Sequence, residues 1–234
     1  MHHISLFSMS KRMDELKAQI DAKKLYSLSE AIALVQKTGA LKFDSSVELH
    51  VRLGINPKKT DQLIRGTAML PHGTGKIKRI AAFVSANDQA AAKEAGADLI
   101  MGEEEIKILK QTGKIDFDIA VATPDMMPKI AMVARILGPR GIMPNPKVGT
   151  VGADVKKMIG ELKKGKFSFK NDDTANIHQV VGKVSFDASK LEENIDTFLE
   201  ILLKAKPNGV KGNFIKAMYL TSSMGPSVKL EIPS

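Results

Sequence analysis

Val47, Leu49, Val51 and Leu53 alternate with Glu48, His50 and Arg52. A period of two predicts a strand with one wet face, as in an antiparallel sheet. Upstream the period is helical. Met13, Leu16 and Ile20 predict a helix over Lys11 to Lys24. Ser27 followed by Glu30 forms a capping box, opening a helix through Ile32, Leu34 and Val35 that stops at Gly39. After a turn at Asn56-Pro57, a second strand is expected around Leu63 to Leu70.

Beyond Pro71-His72-Gly73-Thr74-Gly75-Lys76 the pattern changes. Ile80 to Val84 and Phe117 to Ala122 are near-continuous apolar runs, Asp98 to Met101 is a short strand, and helices are expected at Gln89–Ala95, Glu103–Lys110, Asp125–Leu137 and Ala153–Lys164. The helix from Asp125 tolerates Pro128 in its first turn. Buried strands alternating with helices predict βαβ units and a parallel sheet. Gly138 to Lys147 carries too many prolines and glycines for regular structure. After Gly165 alternation returns at Phe167, Phe169, Val181, Val184 and Phe186. An amphipathic helix follows over Ser189 to Lys204, with Leu191, Ile195, Phe198, Leu199 and Leu202 on its apolar face, then strands at Phe214–Leu220 and Val228–Ile232. The expected fold is therefore α/β combined with α+β. A discontinuous, split α+β domain (1–73 and 166–234) carries an inserted Rossmann-like α/β domain (74–165). Gly73 and Gly165 would be the hinge.

Composition narrows the function classes. The 234 residues carry a formal charge of +9, with a pI near 9.5. Basicity fits nucleic-acid binding, and it fits a solvated lysine surface equally well. It does not select a domain: residues 74–165 carry net +4 and the remainder net +5. There is no Cys, which excludes disulfides, thiolate metal sites and a Cys nucleophile. His2, His3, His50, His72 and His178 lack metal-ligand spacing. No apolar run is long enough to span a membrane, and the segment around Ile4 to Phe7 does not read as a signal peptide. No metal, cofactor or membrane is expected, and the expected location is cytoplasmic.

Enzymatic motifs are incomplete. His72 to Lys76 fails as a phosphate loop because Leu70 and Ile77 stand where Gly and Ser or Thr belong. It fails as a dinucleotide fingerprint at Lys78. Asp116 and Asp118 read more easily as a strand entrance than as a catalytic pair. An enzyme acting on a phosphorylated metabolite near Thr123-Pro124-Asp125 or Gly73 to Lys76 is the competing class.

Three segments suit RNA. In Lys42-Phe43-Asp44, an aromatic beside a cation suits stacking on a base or sugar, although the edge of the core is favoured for Phe43. Phe167-Ser168-Phe169-Lys170-Asn171-Asp172 repeats the theme, with the phenylalanines read as core and interest falling on Lys170 and Asn171. Thr221 to Ser227 combines three hydroxyls, Met224 and Gly225; it reads equally as a ligand-approaching loop and as a hairpin turn.

Ala134 to Lys147, with its Gly138-Pro139-Arg140-Gly141-Ile142-Met143-Pro144-Asn145-Pro146-Lys147 core, resembles the signature of the L-one family of large-subunit ribosomal proteins, bacterial branch. So do Arg65-Gly66-Thr67 with Leu70 to Gly73, Ala122 to Asp125, Gly182 to Phe186, Leu203 to Pro207 and Ser223 to Pro226. The resemblance runs from Lys11 to Ser234. It implies the split fold, no enzymatic activity, and binding of large-subunit ribosomal RNA to form the mobile stalk beside the tRNA exit site. It further implies repression of the protein's own operon messenger. Implied partners are the rRNA, exit-site tRNA, that messenger and other large-subunit components, with a monomer outside the ribosome. By motif match, the implied RNA-binding residues are Lys11, Arg12, Lys42, Phe43, Lys170, Asn171, Asp172, His178, Ser223, Met224 and Gly225. A secondary RNA or tRNA contact is expected at Arg140, Gly141 and Lys147.

Departures from the family pattern are Ser223 for a usual Thr, Lys170 for a frequent Arg, and Ala134 for a usual Gly. Lys170 keeps the charge and loses the planar fork. The first ten residues match nothing in the family, and Met9 stands as an alternative start.

Overall fold

The first long helix is set by its caps. In the computed structural model, which describes residues 11–207, 209–210 and 212–232, helix α2 (Leu28–Thr38) begins after Ser27. The Ser27 hydroxyl accepts the Glu30 N–H, and the Glu30 carboxylate accepts the Ser27 N–H, both at 3.4 Å. The Gly39 N–H closes the helix on the Val35 carbonyl at 2.8 Å. Helix α1 (Lys11–Lys17) is shorter than the helix expected through Lys24. It buries no side chain, so packing does not extend it. Asp21 then turns the chain: its carboxylate accepts the Lys23 N–H at 2.9 Å, and its own N–H donates to the Tyr26 hydroxyl at 2.9 Å. The readings that fall on His2, His3, Ile4 to Phe7 and Met9 lie outside the described residues.

The strands are β1 (Ser46–Leu53), β2 (Arg65–Met69), β3 (Ile80–Phe83), β4 (Leu99–Met101) and β5 (Ile119–Ala122), followed by β6 (Lys166–Lys170), β7 (Asn176–Lys183), β8 (Ile215–Ser222) and β9 (Val228–Leu230). The remaining helices are α3 (Gln89–Glu94), α4 (Glu103–Thr112), α5 (Met127–Ile130), α6 (Ala134–Leu137), α7 (Val155–Lys163) and α8 (Ala188–Lys204). The chain divides into two compact units. One comprises the residues up to Gly75 with those from Phe169 onward, and the other Lys76–Ser168.

In the first unit the sheet order is β7-β1-β8-β9, and the pairs are antiparallel. Val47, Leu49, Val51 and Leu53 are buried while Ser46, Glu48, His50 and Arg52 are not, the alternation expected of one wet face. α2 packs against β8 and β9, and α8 against β7, so helices cover the buried face. All five apolar positions of α8 named above are buried. Asn194, also fully buried, is satisfied: its amide donates to the Gly73 and Val181 carbonyls and accepts the His72 N–H. β2 pairs with β6 in a separate two-stranded ribbon.

The second unit has a parallel sheet in the order β4-β3-β5. Every residue of β3 is buried, as a strand covered on both faces requires. Phe83, Ile106, Leu109, Met126 and Leu137 form one core; Ile80, Val84, Val121, Ile159 and Leu162 form the other. The helix expected over Asp125–Leu137 is broken. 3-10 turns at Pro124–Met126 and Ala131–Val133 alternate with α5 and α6. Pro128 has no N–H to donate. The breaks keep Met126, Ile130, Val133 and Leu137 on the core side, so the burial pattern survives although the continuous helix does not.

Candidate nucleic-acid interface

The face of the first unit's sheet opposite α2 and α8 is polar. Its centre is a row across three strands: His50 on β1 lies opposite His178 on β7 and Tyr219 on β8. Neighbouring rows place Glu48 opposite Thr221, and Arg52 opposite Asn176. At about 3.4 Å per residue, β1 lays this face out over about 24 Å.

One end of the face gathers residues from three distant segments. Ser223 follows β8, and its N–H donates to the Ser46 carbonyl at 2.9 Å. Its hydroxyl lies 3.4 Å from the Glu48 carboxylate. Met224 is 69% exposed and has φ of 64°, a left-handed backbone rare outside glycine. Its carbonyl accepts Arg12 Nη2 of α1 at 3.2 Å. The segment is a β-hairpin connection, one of the two readings of Thr221 to Ser227, and it leaves Met224 exposed. Lys42 and Phe43 precede β1 on this side. The neighbouring Asp44 accepts Ser185 through its carboxylate and Lys183 through its carbonyl. Phe43 is 55% exposed, which corrects the reading of it as a core edge. Lys42, Phe43 and Asp44 are all exposed, and burial resumes only at Ser45.

Asn171 and Asp172 are committed elsewhere. The Asn171 side chain accepts the Ile64 N–H at 2.7 Å and so fixes the approach to β2. Lys170, beside it, is exposed. Burial alone would raise the Asp172 carboxyl. Hydrogen bonds from Thr174 and Asn176 outweigh it and hold the group well below the ordinary carboxylate range. Asp172 also lies 3.5 Å from His178 Nε2. Phe167 and Phe169 are buried, as expected. Arg140, Gly141 and Lys147 are exposed in the second unit.

His50 and His178 are 128 residues apart in sequence, yet their Nδ1 atoms approach to 2.7 Å, so one ring donates and the other accepts. Burial, then the charge of His178, lower the His50 pKa below 6.5, against an upward push from Glu48. A lowered folded-state value means the unfolded chain takes up this proton first. Stability is therefore lost as pH falls through 6.5 toward the folded value. The melting temperature is expected to fall between about pH 7 and pH 5, and to fall less in His50→Gln. Identical melting profiles for the two proteins would exclude this linkage. No local motif marks His50, Arg52 or Tyr219 as part of this face. The alternation puts His50 and Arg52 on the wet face, but only strand register brings them beside His178.

Among the described residues, no group of three or more His, Asp or Glu side chains is arranged to hold a metal, and no helix is long and apolar enough to cross a membrane.

A model of the Ribosomal protein L1p/L10e family matches residues 33–226. Similar proteins include the "Large ribosomal subunit protein uL1" of Fervidobacterium nodosum, 46% identical over 223 residues and covering 95% of each chain. That of Persephonella marina is 48% identical over 218 residues, covering 92% of this chain and 90% of its own. That of Thermosipho africanus is 47% identical over 222 residues, covering 95% and 96%. With these relatives the mixed α/β chain is a ribosomal protein and not an enzyme. It belongs to the Ribosomal protein L1p/L10e family.

Proposed function

We propose that the protein is a structural component of the large ribosomal subunit in the cytoplasm, and that it binds large-subunit rRNA through the open sheet face of its first unit. One arrangement carries this reading: Arg12, Ser223 and Met224 converge at one end of a polar sheet face centred on His50 and His178. The face is suited to RNA. An A-form helix hides its base edges in a deep groove and displays 2′-hydroxyls and phosphates. Ser223, Thr221 and the histidines offer hydrogen bonds to hydroxyls, while Lys11, Arg12, Lys42 and Lys170 offer charge to phosphates. In this reading the terminal unit is the RNA-binding domain and Lys76–Ser168 is a Rossmann-like insertion. The hinge is assigned to Gly73 and Gly165, which have φ of 64° and 97° and lie near, not at, the boundaries of the two units. The assembly forms the mobile stalk at the tRNA exit site, and the same face binds the protein's own operon messenger to repress it.

The test is a titration at several salt concentrations against a stalk fragment of the rRNA and a random duplex of equal length. The expected result is a preference for the fragment that survives physiological salt. Equal binding that collapses on a steep salt slope would leave only the nonspecific charge effect. Arg140, Gly141 and Lys147 supply a secondary RNA or tRNA contact. Arg140→Glu is expected to weaken binding of RNA or deacylated tRNA to ribosomes, and unchanged binding of both would remove that contact.

A further inference from the structure

The second unit contains a cavity of about 270 Å³, lined by none of the sheet-face residues. Lys78, Arg140 and Lys166 line it, together with Asp118, Gly141 and Ser168. Its three cations are not equivalent. Lys166 is neutralised by Glu161 at 2.7 Å. Lys78 and Arg140 make no hydrogen bond or ion pair among the described residues. Asp118 is the acid of the wall, and both its oxygens are occupied: Oδ1 accepts Lys76 Nζ at 2.9 Å, and Oδ2 accepts the Arg79 N–H at 3.1 Å. The cavity therefore has two positive groups whose counter-charge is not supplied by the wall.

Lys78 bears a cost for this. Burial, then repulsion from Lys76, lower its pKa, and attraction to Asp118 offsets this only in part. An anion from outside would remove that cost. The wall is uncrowded at Gly141, which has φ of 70° and whose Cβ position meets no atom beyond its chain neighbours within 4 Å. The Arg140 guanidinium presents a planar fork of donors suited to two oxygens of one oxyanion, and Lys78 supplies a compact charge.

We propose that this cavity seats a phosphate group, held by Lys78 and Arg140 and accompanied by the Ser168 hydroxyl. The inference rests on the reading of Arg140 as a second nucleic-acid contact for the source of the phosphate, but not for the existence of the site. Phosphate in an RNA chain and phosphate of a free nucleotide share this chemistry.

The test uses the ¹⁵N-labelled full chain, titrated with inorganic phosphate against potassium chloride at matched ionic strength. Saturable amide shifts are expected at residues 78, 140–143 and 166–168. The affinity should fall at least tenfold in Lys78→Met and in Arg140→Met, and remain unchanged in the control Lys110→Met, an exposed lysine of α4. Lys78→Met should melt no lower than the parent, because it removes a charge that burial disfavours, so lost binding would not report unfolding. Shifts scattered over surface lysines, or a titration unaffected by Lys78→Met, would overturn the proposal. Adenosine monophosphate and a short RNA duplex then distinguish the sources. Tighter binding of the nucleotide than of inorganic phosphate assigns free nucleotide; a gain confined to the duplex assigns chain phosphate. Saturable phosphate binding with an unchanged ribosomal contact in Arg140→Glu would sustain the site and refute the second-contact reading. The reverse pair would do the opposite.

Discussion

Phe198→Ala is expected to lower the unfolding free energy by about 3–5 kcal/mol. Phe198 is fully buried on α8, and its ring meets that of Phe169 edge to face, with centroids 5.4 Å apart and planes at 84°. Such a pair contributes about 0.5–1.5 kcal/mol beyond the area it buries. The void left by Ala is hard to close. Asn194, one turn earlier on the same helix, is tied to Gly73 and Val181, so α8 is not free to settle toward the sheet. A typical domain has only about 5–15 kcal/mol to lose, so the variant should be only marginally folded. Urea unfolding followed by the far-ultraviolet signal reads the loss. A decrease under about 1 kcal/mol would mean that the site relaxes, contrary to the pinning by Asn194.

Phe198 also illustrates what was legible in advance. The apolar face of α8 is a local signal, because residues spaced at three and four share one side of a helix wherever it packs. The Ser27–Glu30 capping box is equally local, and α2 starts and stops where those residues say. The failures have one origin. Nothing within Lys11 to Lys24 discloses that α1 fully buries none of its side chains, or that Asp21 turns toward Tyr26. Nothing within Asp125 to Leu137 tells a continuous helix from one broken by 3-10 turns, since both leave Met126, Ile130, Val133 and Leu137 at similar spacing. The candidate interface was legible as residues and not as a surface. Arg12 meets Met224, and Ser46 meets Ser223, across more than 170 residues each, and His50 meets His178 only through β1–β7 register. Register is a property of the assembled sheet. The exposure of Phe43 is likewise decided by where its loop turns, not by its neighbours in sequence. Asn171, read as an RNA contact, is first a fastener for Ile64, a role that a side chain 107 residues away from its partner does not announce.

Met224→Asp is expected to weaken binding of the stalk fragment by more than about 1–3 kcal/mol, comparable with losing one good contact. The argument depends on the fold surviving the change. Met224 is exposed, so no core is disturbed. Its backbone is left-handed, a conformation that Asp adopts more readily than Met. The loop is held from beneath: a Cβ on Gly225 would lie 2.1 Å from Ser222 Oγ, and one on Gly39 would lie 2.8 Å from the same atom. The Ser222 side chain thus sits between two glycines that admit it, and neither approach involves the Met224 side chain. The melting temperature should therefore be unchanged while a new carboxylate faces RNA phosphate. Repulsion of this kind is screened by salt, so the loss should be larger at low ionic strength. Met224→Leu, which keeps the apolar surface and adds no charge, should retain most of the affinity. Full binding by Met224→Asp, with its melting temperature intact, would place the RNA on another face of the first unit.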